Sequence, residues 1–195
     1  CYTIFNRRNV MKKIVYVTRN QYKVELAKNI LNPLGIEVVV KKMECPEIQA
    51  DTIEEVSVYS SQYASNLLQE STLKNDSGLV IPTLKNFPAA YTKYVEETIG
   101  EDGVLKLMEG VEDRTAYFIE SLAYTECGKE PVVFVSKTKG TIAKEKRGTN
   151  GWSWDFIFIP EGQSKTFAEF SDDERWKFWD DRGYIELAEY LKKQK

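Results

Sequence analysis

Histidine is absent from all 195 residues. That omission excludes a Ser-His-Asp triad, an imidazole general base and any His-ligated metal site. Acid–base and metal chemistry must run on carboxylates and lysines, and such oxygen donors favour a hard ion, Mg²⁺. Cysteine is scarce too. Cys1, Cys45 and Cys127 are widely spaced and odd in number, which argues against a disulfide framework. With no secretory or transit pattern at the start, a reducing cytoplasm is the expected location. No apolar run approaches the ~20 residues of a membrane-spanning helix, so no membrane partner is expected. Nor is there a basic excess. The 27 lysines and arginines face 30 acids, for a net charge of −3, without the footprint of a nucleic-acid-binding surface.

What is present is an ordinary globular composition, 42% hydrophobic and 29% charged, at a length that suits one domain or a single domain with two lobes. Residues 1–10 precede Met11-Lys12-Lys13-Ile14-Val15, which reads as a natural start. The expectation is an N-terminal extension over 1–10, to which no function is assigned, and a single folded unit over 11–195.

Hydrophobic periodicity orders the chain. Ile14–Val17 reads as a buried strand, and Leu26, Ala27, Ile30 and Leu31 recur at helical spacing until Asn32-Pro33 and Gly35. Ile36–Val40 is a second strand. This order predicts an α/β fold with a loop at a strand's carboxyl end, where such folds place ligands. A helix over Thr52–Gln69 follows, capped at Asp51 or Thr52 with Glu54 or Glu55 three positions on. Then come Asn75–Ile81, read as a loop leading into a strand, a short helix near Gly103–Glu109, and a strand over Ala116–Thr125. Val132–Lys137 reads as its hairpin partner, Trp152–Ile159 as another strand, and a terminal helix ends at Leu191.

Three groups of residues carry candidate chemistry. Gly151-Trp152-Ser153-Trp154-Asp155 puts two tryptophans two apart; in an extended segment they share a face. Either they are packed core, or they offer a flat surface beside a carboxylate, which is what a purine requires. Thr18-x-Asn20-x-x-Lys23 joins a strand end to a helix start. It is either a cap with a solvated lysine or an anion site built from free amides, a hydroxyl, a carboxamide and an ammonium. Glu47 and Asp76, read as loop carboxylates, can share Mg²⁺ with water and phosphate oxygens, or one can activate water. Alone, Asp76-Ser77-Gly78 is equally a turn signal.

Taken together, these pieces resemble the inosine triphosphate pyrophosphatase family. The resemblance runs from Met11 to about Leu191 and rests on ordered motifs. They are Thr18-x-Asn20-x-x-Lys23, Glu47-Ile48-Gln49-Ala50-Asp51, Asp76-Ser77-Gly78, Phe87-Pro88-x-x-Tyr91, Gly151-Trp152-x-Trp154-Asp155 and Thr166-Phe167-Ala168-Glu169. The second, with Glu96-Glu97-Thr98-Ile99-Gly100, is most similar to the archaeal branch. The resemblance implies a single two-lobed α/β domain, with a long twisted mixed sheet flanked by helices and a central nucleotide-binding cleft, usually as a homodimer. It implies Mg²⁺-dependent hydrolysis of ITP, dITP or XTP to the monophosphate and pyrophosphate. Thr18, Asn20, Lys23, Ser77 and Lys93 then serve the triphosphate, with Lys23 also counted in the catalytic set. Glu47 and Asp76 serve the metal and the water, Trp152 and Trp154 the base face, and Asp155 its edge.

The chain departs from that pattern in places. Many relatives carry an acid where Asn75 stands, and a Phe-Pro-Gly turn has become Phe87-Pro88-Ala89. The family's lysine and Ser-His-Arg triplet have given way to Arg175 and to Trp179-Asp180-Asp181-Arg182. Arg175 takes the lysine's place, and either Asp181 or Arg182 the arginine's. Two functions stay open: a pyrophosphatase with altered base preference, or a slow or inactive purine-nucleotide sensor reporting to a partner effector protein, for example in antiviral defence. A purely structural subunit is the third, blander possibility.

Overall fold

A computed structural model describes residues 12–46 and 48–194; the expected extension over 1–10, and Glu47, lie outside the described residues. The β-branched and aromatic residues Ile14–Val17 are all buried in β1 (Lys12–Val17). Helix α1 (Gln21–Leu31) follows and buries Val24, Ala27 and Leu31, at i, i+3 and i+7. A 3-10 turn at Asn32–Leu34 closes it, with Gly35 left-handed at φ 74°, and β2 (Ile36–Lys41) returns parallel to β1. Helix α2 (Ile53–Leu68) opens on a capping box between Thr52 and Glu55. Its buried stripe is serine-rich: Ser57, Ser60, Ser61 and Ser65 lie with Ile53 and Ala64. These small residues let the helix sit close to the sheet, and their hydroxyls pair with those of strand residues, Ser57 with Ser121 at 2.7 Å and Ser61 with Thr125 at 2.8 Å.

Strand β3 (Thr72–Val80) lies parallel to β1 and antiparallel to β4 (Thr115–Thr125). Between them come α3 (Thr92–Thr98) and α4 (Gly100–Leu107). β5 (Val132–Ile142) and β6 (Phe158–Pro160) complete one mixed six-stranded sheet, ordered β2-β1-β3-β4-β5-β6. Helices α5 (Asp172–Arg175) and α6 (Arg182–Lys193) end the chain. The α/β class and the flanked mixed sheet are as the sequence led one to expect.

Four local expectations need correction. Asn75–Gly78 is not a loop: it continues β3, with Asp76 opposite Ser121. The hairpin partner runs five residues past Lys137, to Ile142. The helix expected near Gly103 starts at Gly100. The stretch Ser153–Phe156 is a 3-10 turn rather than strand, and only Phe158–Pro160 pairs with β5. With Ser153 at φ 53° the segment cannot stay extended, so Trp152 and Trp154 do not share a face.

The register of β3 on β4 decides which side chains face α1. Side chains alternate across a strand, so Leu73, Asn75, Ser77 and Leu79 line one face of β3. Opposite them on β4 stand Tyr124, Leu122, Glu120 and Phe118. Leu73, Leu122 and Tyr124 belong to a core shared with α1 and α6, through Ala27, Leu31, Tyr184 and Leu187. Leu79 and Phe118 belong to a second core with Val95, Val104, Trp154, Phe158 and Phe167. Between the two apolar blocks the same face turns polar at Asn75, Ser77 and Glu120.

Past that window, β3 is held against the start of α3. Thr92 Oγ1 accepts from the Leu79 amide at 2.9 Å and donates to the Ala89 carbonyl at 2.7 Å. Gly78 makes this approach possible: a Cβ there would stand 2.5 Å from the Ala89 oxygen, 2.7 Å from Thr92 Oγ1 and 2.9 Å from Ile53 Cδ1. Ala89 itself sits at φ 48°, so the position where the family turn has glycine does carry left-handed strain. Gly78→Ala is expected to destabilise the fold by about 1–3 kcal/mol through overpacking, measurable as a lower chemical-denaturation midpoint at unchanged m-value.

Candidate functional site

The polar window is filled from α1. Asn20 ends β1's loop and caps the helix, its Oδ1 accepting from the amides of Tyr22 at 3.0 Å and Lys23 at 3.4 Å. The Asn20 amide in turn donates to Thr18 Oγ1 at 3.2 Å. Those two helix-start amides are therefore satisfied by the cap rather than free for an anion, as the sequence suggested. What α1 does deliver is its ammonium. Lys23 Nζ donates to Ser77 Oγ at 3.1 Å and lies 3.8 Å from Glu120 Oε1. Asn75 Nδ2 donates to the same Glu120 oxygen at 2.7 Å.

Glu120 is the residue that motif reading missed. It sits inside the apolar run Tyr117-Phe118-Ile119-Glu120-Ser121-Leu122, and a charged residue at an inward position of such a run was the available signal. Its side chain is only 15% exposed. It lies beside a buried hydroxyl pair, Tyr16 with Tyr184 at 2.9 Å. Burial pushes both phenols well up, with the Glu120 charge adding to it. Across the sheet the row continues from Ser77 through Glu120 to Ser136. There Ser136 Oγ accepts from the Gly183 amide at 2.9 Å and Thr138 Oγ1 accepts from the Asp180 amide at 2.9 Å. The start of α6 is thus tied to the same row. Asp180 is used internally, accepting from the Lys137 amide and from Arg182, whose guanidinium pairs with it at 3.1 Å. Asp181 and Arg182 themselves are exposed.

The second group lies over α1. Trp152 is 51% exposed, whereas Trp154 is 4% exposed and packed in the second core, so the structure does not bring Trp154 to a ligand surface. Beneath Trp152, Asp155 and Arg175 form a buried ion pair at 3.0 Å. Arg175 is 1% exposed, also pairs with Asp172 at 2.8 Å, and lies 5.2 and 5.4 Å from the ring centres of Trp152 and Trp176. Where the resemblance puts Arg175 in the lysine's place, the structure shows a guanidinium whose fork is committed to carboxylates and rings. Gly151 leaves room for the pair, since a Cβ there would collide with both Arg175 Nη1 and Asp155 Oδ2. Asp155 Oδ2 accepts from Arg175 and from the Trp152 amide at 3.2 Å. Oδ1 accepts from no described residue. Burial raises the Asp155 pKa above its ordinary value, against the lowering pull of the Trp152 amide and the Arg175 charge.

Asp76 faces the opposite side of β3 from Ser77, toward Ser121 and α2. Lys93, in the first turn of α3, follows the Thr92 that fastens that helix to β3. Ile48–Asp51, immediately after Glu47, line a concavity of ≈ 410 Å³ with Glu55 and Tyr91. Among the described residues no three His, Cys, Asp or Glu side chains gather into a metal cage. The oxygen donors present suit an ion that takes one or two carboxylates and completes its shell with water and phosphate, which is the habit of Mg²⁺.

The profile of the Ham1 family matches residues 14–182. The chain is 46% identical over 163 residues to the dITP/XTP pyrophosphatase of Pyrococcus horikoshii, covering 84% of this chain and 87% of that one. It is 44% identical over 165 residues to the one from Methanopyrus kandleri, covering 85% and 88%. Among solved structures, the Staphylococcus aureus Ham1 protein superposes with a TM-score of 0.80 at 27% identity, over 94% of this chain and all of that one. A HAM1 protein from Coxiella burnetii gives 0.82 at 24% identity, over the same shares, and speaks to the fold alone.

The Asp155–Arg175 pair makes a prediction. Arg175→Met leaves a buried carboxylate unpaired and is expected to cost about 3–5 kcal/mol at neutral pH, while Asp155→Asn with Arg175→Met recovers most of it. The folded-state pKa of Asp155 already lies above its unfolded value, so ionisation opposes folding as pH rises through that window. The single variant's deficit should therefore be smaller at acid pH than at neutral pH, as the carboxyl takes up its proton. Urea melts at both pH values test this; an equal deficit at each would refute it.

Proposed function

Since the chain belongs to the Ham1 family, we propose that it is a nucleoside triphosphate pyrophosphatase that hydrolyses dITP, ITP and XTP to the monophosphate and pyrophosphate. The observation that carries this reading is the polar window on β3 and β4, where Lys23 reaches Ser77 and Glu120 between two apolar cores. An ammonium from α1, with a hydroxyl and a carboxamide on rigid strands, suits a polyphosphate, and Trp152 beside Asp155 suits the base at its other end.

In this reading Lys23, Asn20, Thr18, Ser77 and Lys93 hold the triphosphate oxygens. Asp76 orients a water and takes its proton as the water oxygen bonds to the α-phosphorus. The α–β bridging bond breaks, and its electron pair leaves with pyrophosphate. Glu47 and Asp76 would hold Mg²⁺, which when bound supplies positive charge against the phosphates. Trp152 stacks on the purine. Asp155 accepts from N1–H of a 6-oxo purine, for which adenine offers only a lone pair. A mismatch there is worth roughly 1–3 kcal/mol. Arg175 acts through Asp155, holding its Oδ2, while Asp181 and Arg182 flank the far side of the base. The working unit is read as a cytoplasmic homodimer.

The alternative, a slow sensor that signals to an effector protein, draws on Asn75 standing where relatives have an acid. Glu120, bonded to that Asn75 amide, keeps a carboxylate at the same place, which favours hydrolysis.

Purified protein with Mg²⁺ should release pyrophosphate from dITP, ITP and XTP, and chelation should stop it. Asp76→Asn is expected to lower kcat by about 10²–10⁴-fold. Tight nucleotide binding with negligible release would sink the enzyme reading in favour of the sensor. A pH profile adds a second check. Because burial raises the Asp155 pKa, preference for ITP over ATP should decline as pH falls, beginning above the range where an ordinary aspartate titrates. A preference that is flat down to that range would contradict the role given to Asp155.

A further inference from the structure

Tyr22 belongs neither to the polar window nor to the Asp155–Arg175 pair. It is the second residue of α1 and is 47% exposed, yet its ring does not lie in open solvent. It stacks on Trp152, with centroids 6.2 Å apart and planes inclined by 21°, and lies 5.2 Å from the Trp176 ring. Three rings, each between about a third and a half exposed, thus gather above the buried Arg175–Asp155 pair. No core cluster contains Tyr22 or Trp152.

We propose that Tyr22 is the second wall of the base site, and that a purine is held between its ring and that of Trp152. This rests on the reading of Trp152 as a base platform. Two aromatic faces that sandwich a base stand about 7 Å apart, since each stack takes roughly 3.5 Å. The ring centroids are 6.2 Å apart, a figure that includes the lateral offset of the two rings, so the faces must part by roughly the ~3.5 Å thickness of one base, through rotation of the exposed Tyr22 side chain at the helix start. In the structure the two rings stack on each other, and the base enters by separating them. Tyr22 and Lys23 are consecutive, and successive helical positions point about 100° apart. One therefore aims at Trp152 and the other at Ser77 and Glu120. The first turn of α1 then grips both ends of one nucleotide, the base through residue 22 and the phosphates through residue 23.

Calorimetric titration of ITP and of inorganic triphosphate into wild type, Tyr22→Ala and Tyr22→Phe, with a chelator in place of Mg²⁺ so that ITP is not turned over, tests this. Tyr22→Ala should weaken ITP binding by about tenfold, as the loss of one base–aromatic stack does. It should leave triphosphate, which has no base, unchanged, and Tyr22→Phe should bind both as wild type does. Equal ITP affinity in Tyr22→Ala and wild type would overturn the proposal while leaving Trp152 as the platform. Equal weakening of ITP and triphosphate would overturn it too, by making Tyr22 a support for the helix start. Wild type that binds triphosphate but gains nothing from the base would remove the base platform itself, and this proposal with it.

Discussion

Everything in the candidate site depends on one uninterrupted antiparallel register, in which Ser77 of β3 stands opposite Glu120 of β4. Because side chains alternate, this pairing puts Leu73, Asn75, Ser77 and Leu79 on the face that receives α1. A slip of one residue would present Asp76 and Gly78 to α1 instead and turn Leu73 and Leu79 away from both cores. The apolar residues at the two ends of the window therefore specify where the polar residues in the middle must be. Leu73 with Leu122 and Leu79 with Phe118 each have a core to fill, so the polar side chains between them cannot shift without emptying one. The same alternation sends Asp76 to the α2 side. Neighbouring positions on one strand thereby give phosphate-type donors on one face and a carboxylate on the other.

The second constraint is the buried pair of Arg175 and Asp155. A charge pair this deep is seldom a net source of stability, because desolvation of both groups consumes most of their attraction. Its value lies in placement. Arg175 and the Trp152 amide both bind Oδ2 of Asp155, which leaves Oδ1 as the oxygen with no protein donor among the described residues. The guanidinium also lies against the Trp152 and Trp176 rings, so the carboxylate and the platform are fixed by one side chain. Gly151 is required for the same reason, since any Cβ would occupy the space of that contact.

Much of the fold was legible because its signals are local. Runs such as Ile14–Val17 and Ala116–Thr125 pattern as strands, the Thr52–Glu55 box starts a helix, and Asn32-Pro33 with Gly35 ends one. The Thr18-x-Asn20-x-x-Lys23 motif, of the same local kind, marked the cap and first turn of α1. What was not legible came from contacts distant in sequence. Asp76-Ser77-Gly78 carries the composition of a turn, but nine residues of pairing with β4 hold it extended, a tertiary override of local propensity. Trp152–Phe156 has the composition of a strand and is bent into a 3-10 turn because Asp155 must reach back to the Trp152 amide and across to Arg175. Glu120 belonged to no motif, and only the register reveals that it faces Lys23. Arg175 was placed by analogy with a lysine, and the two side chains differ in what they can hold. A planar fork can bridge Asp155 and Asp172 while lying against two indoles; a single ammonium cannot.

Asn75 and Glu120 bear on each other. With asparagine at 75, the window would hold Lys23 opposed by no charge, and a lysine 23% exposed would lose hydration without an anion to replace it. Glu120 supplies that anion from the facing strand and receives the Asn75 amide as well. The electrostatic balance at the window is thus kept by a carboxylate on the neighbouring strand. A carboxylate on β4, anchored between Asn75 and the Tyr16–Tyr184 hydroxyls, is also held more rigidly than a lone acid on β3 would be. That rigidity matters where an ammonium must exchange one partner for another. In the proposed function Lys23 turns from Glu120 toward the phosphate oxygens, and Asn75 still holds the carboxylate as the ammonium leaves.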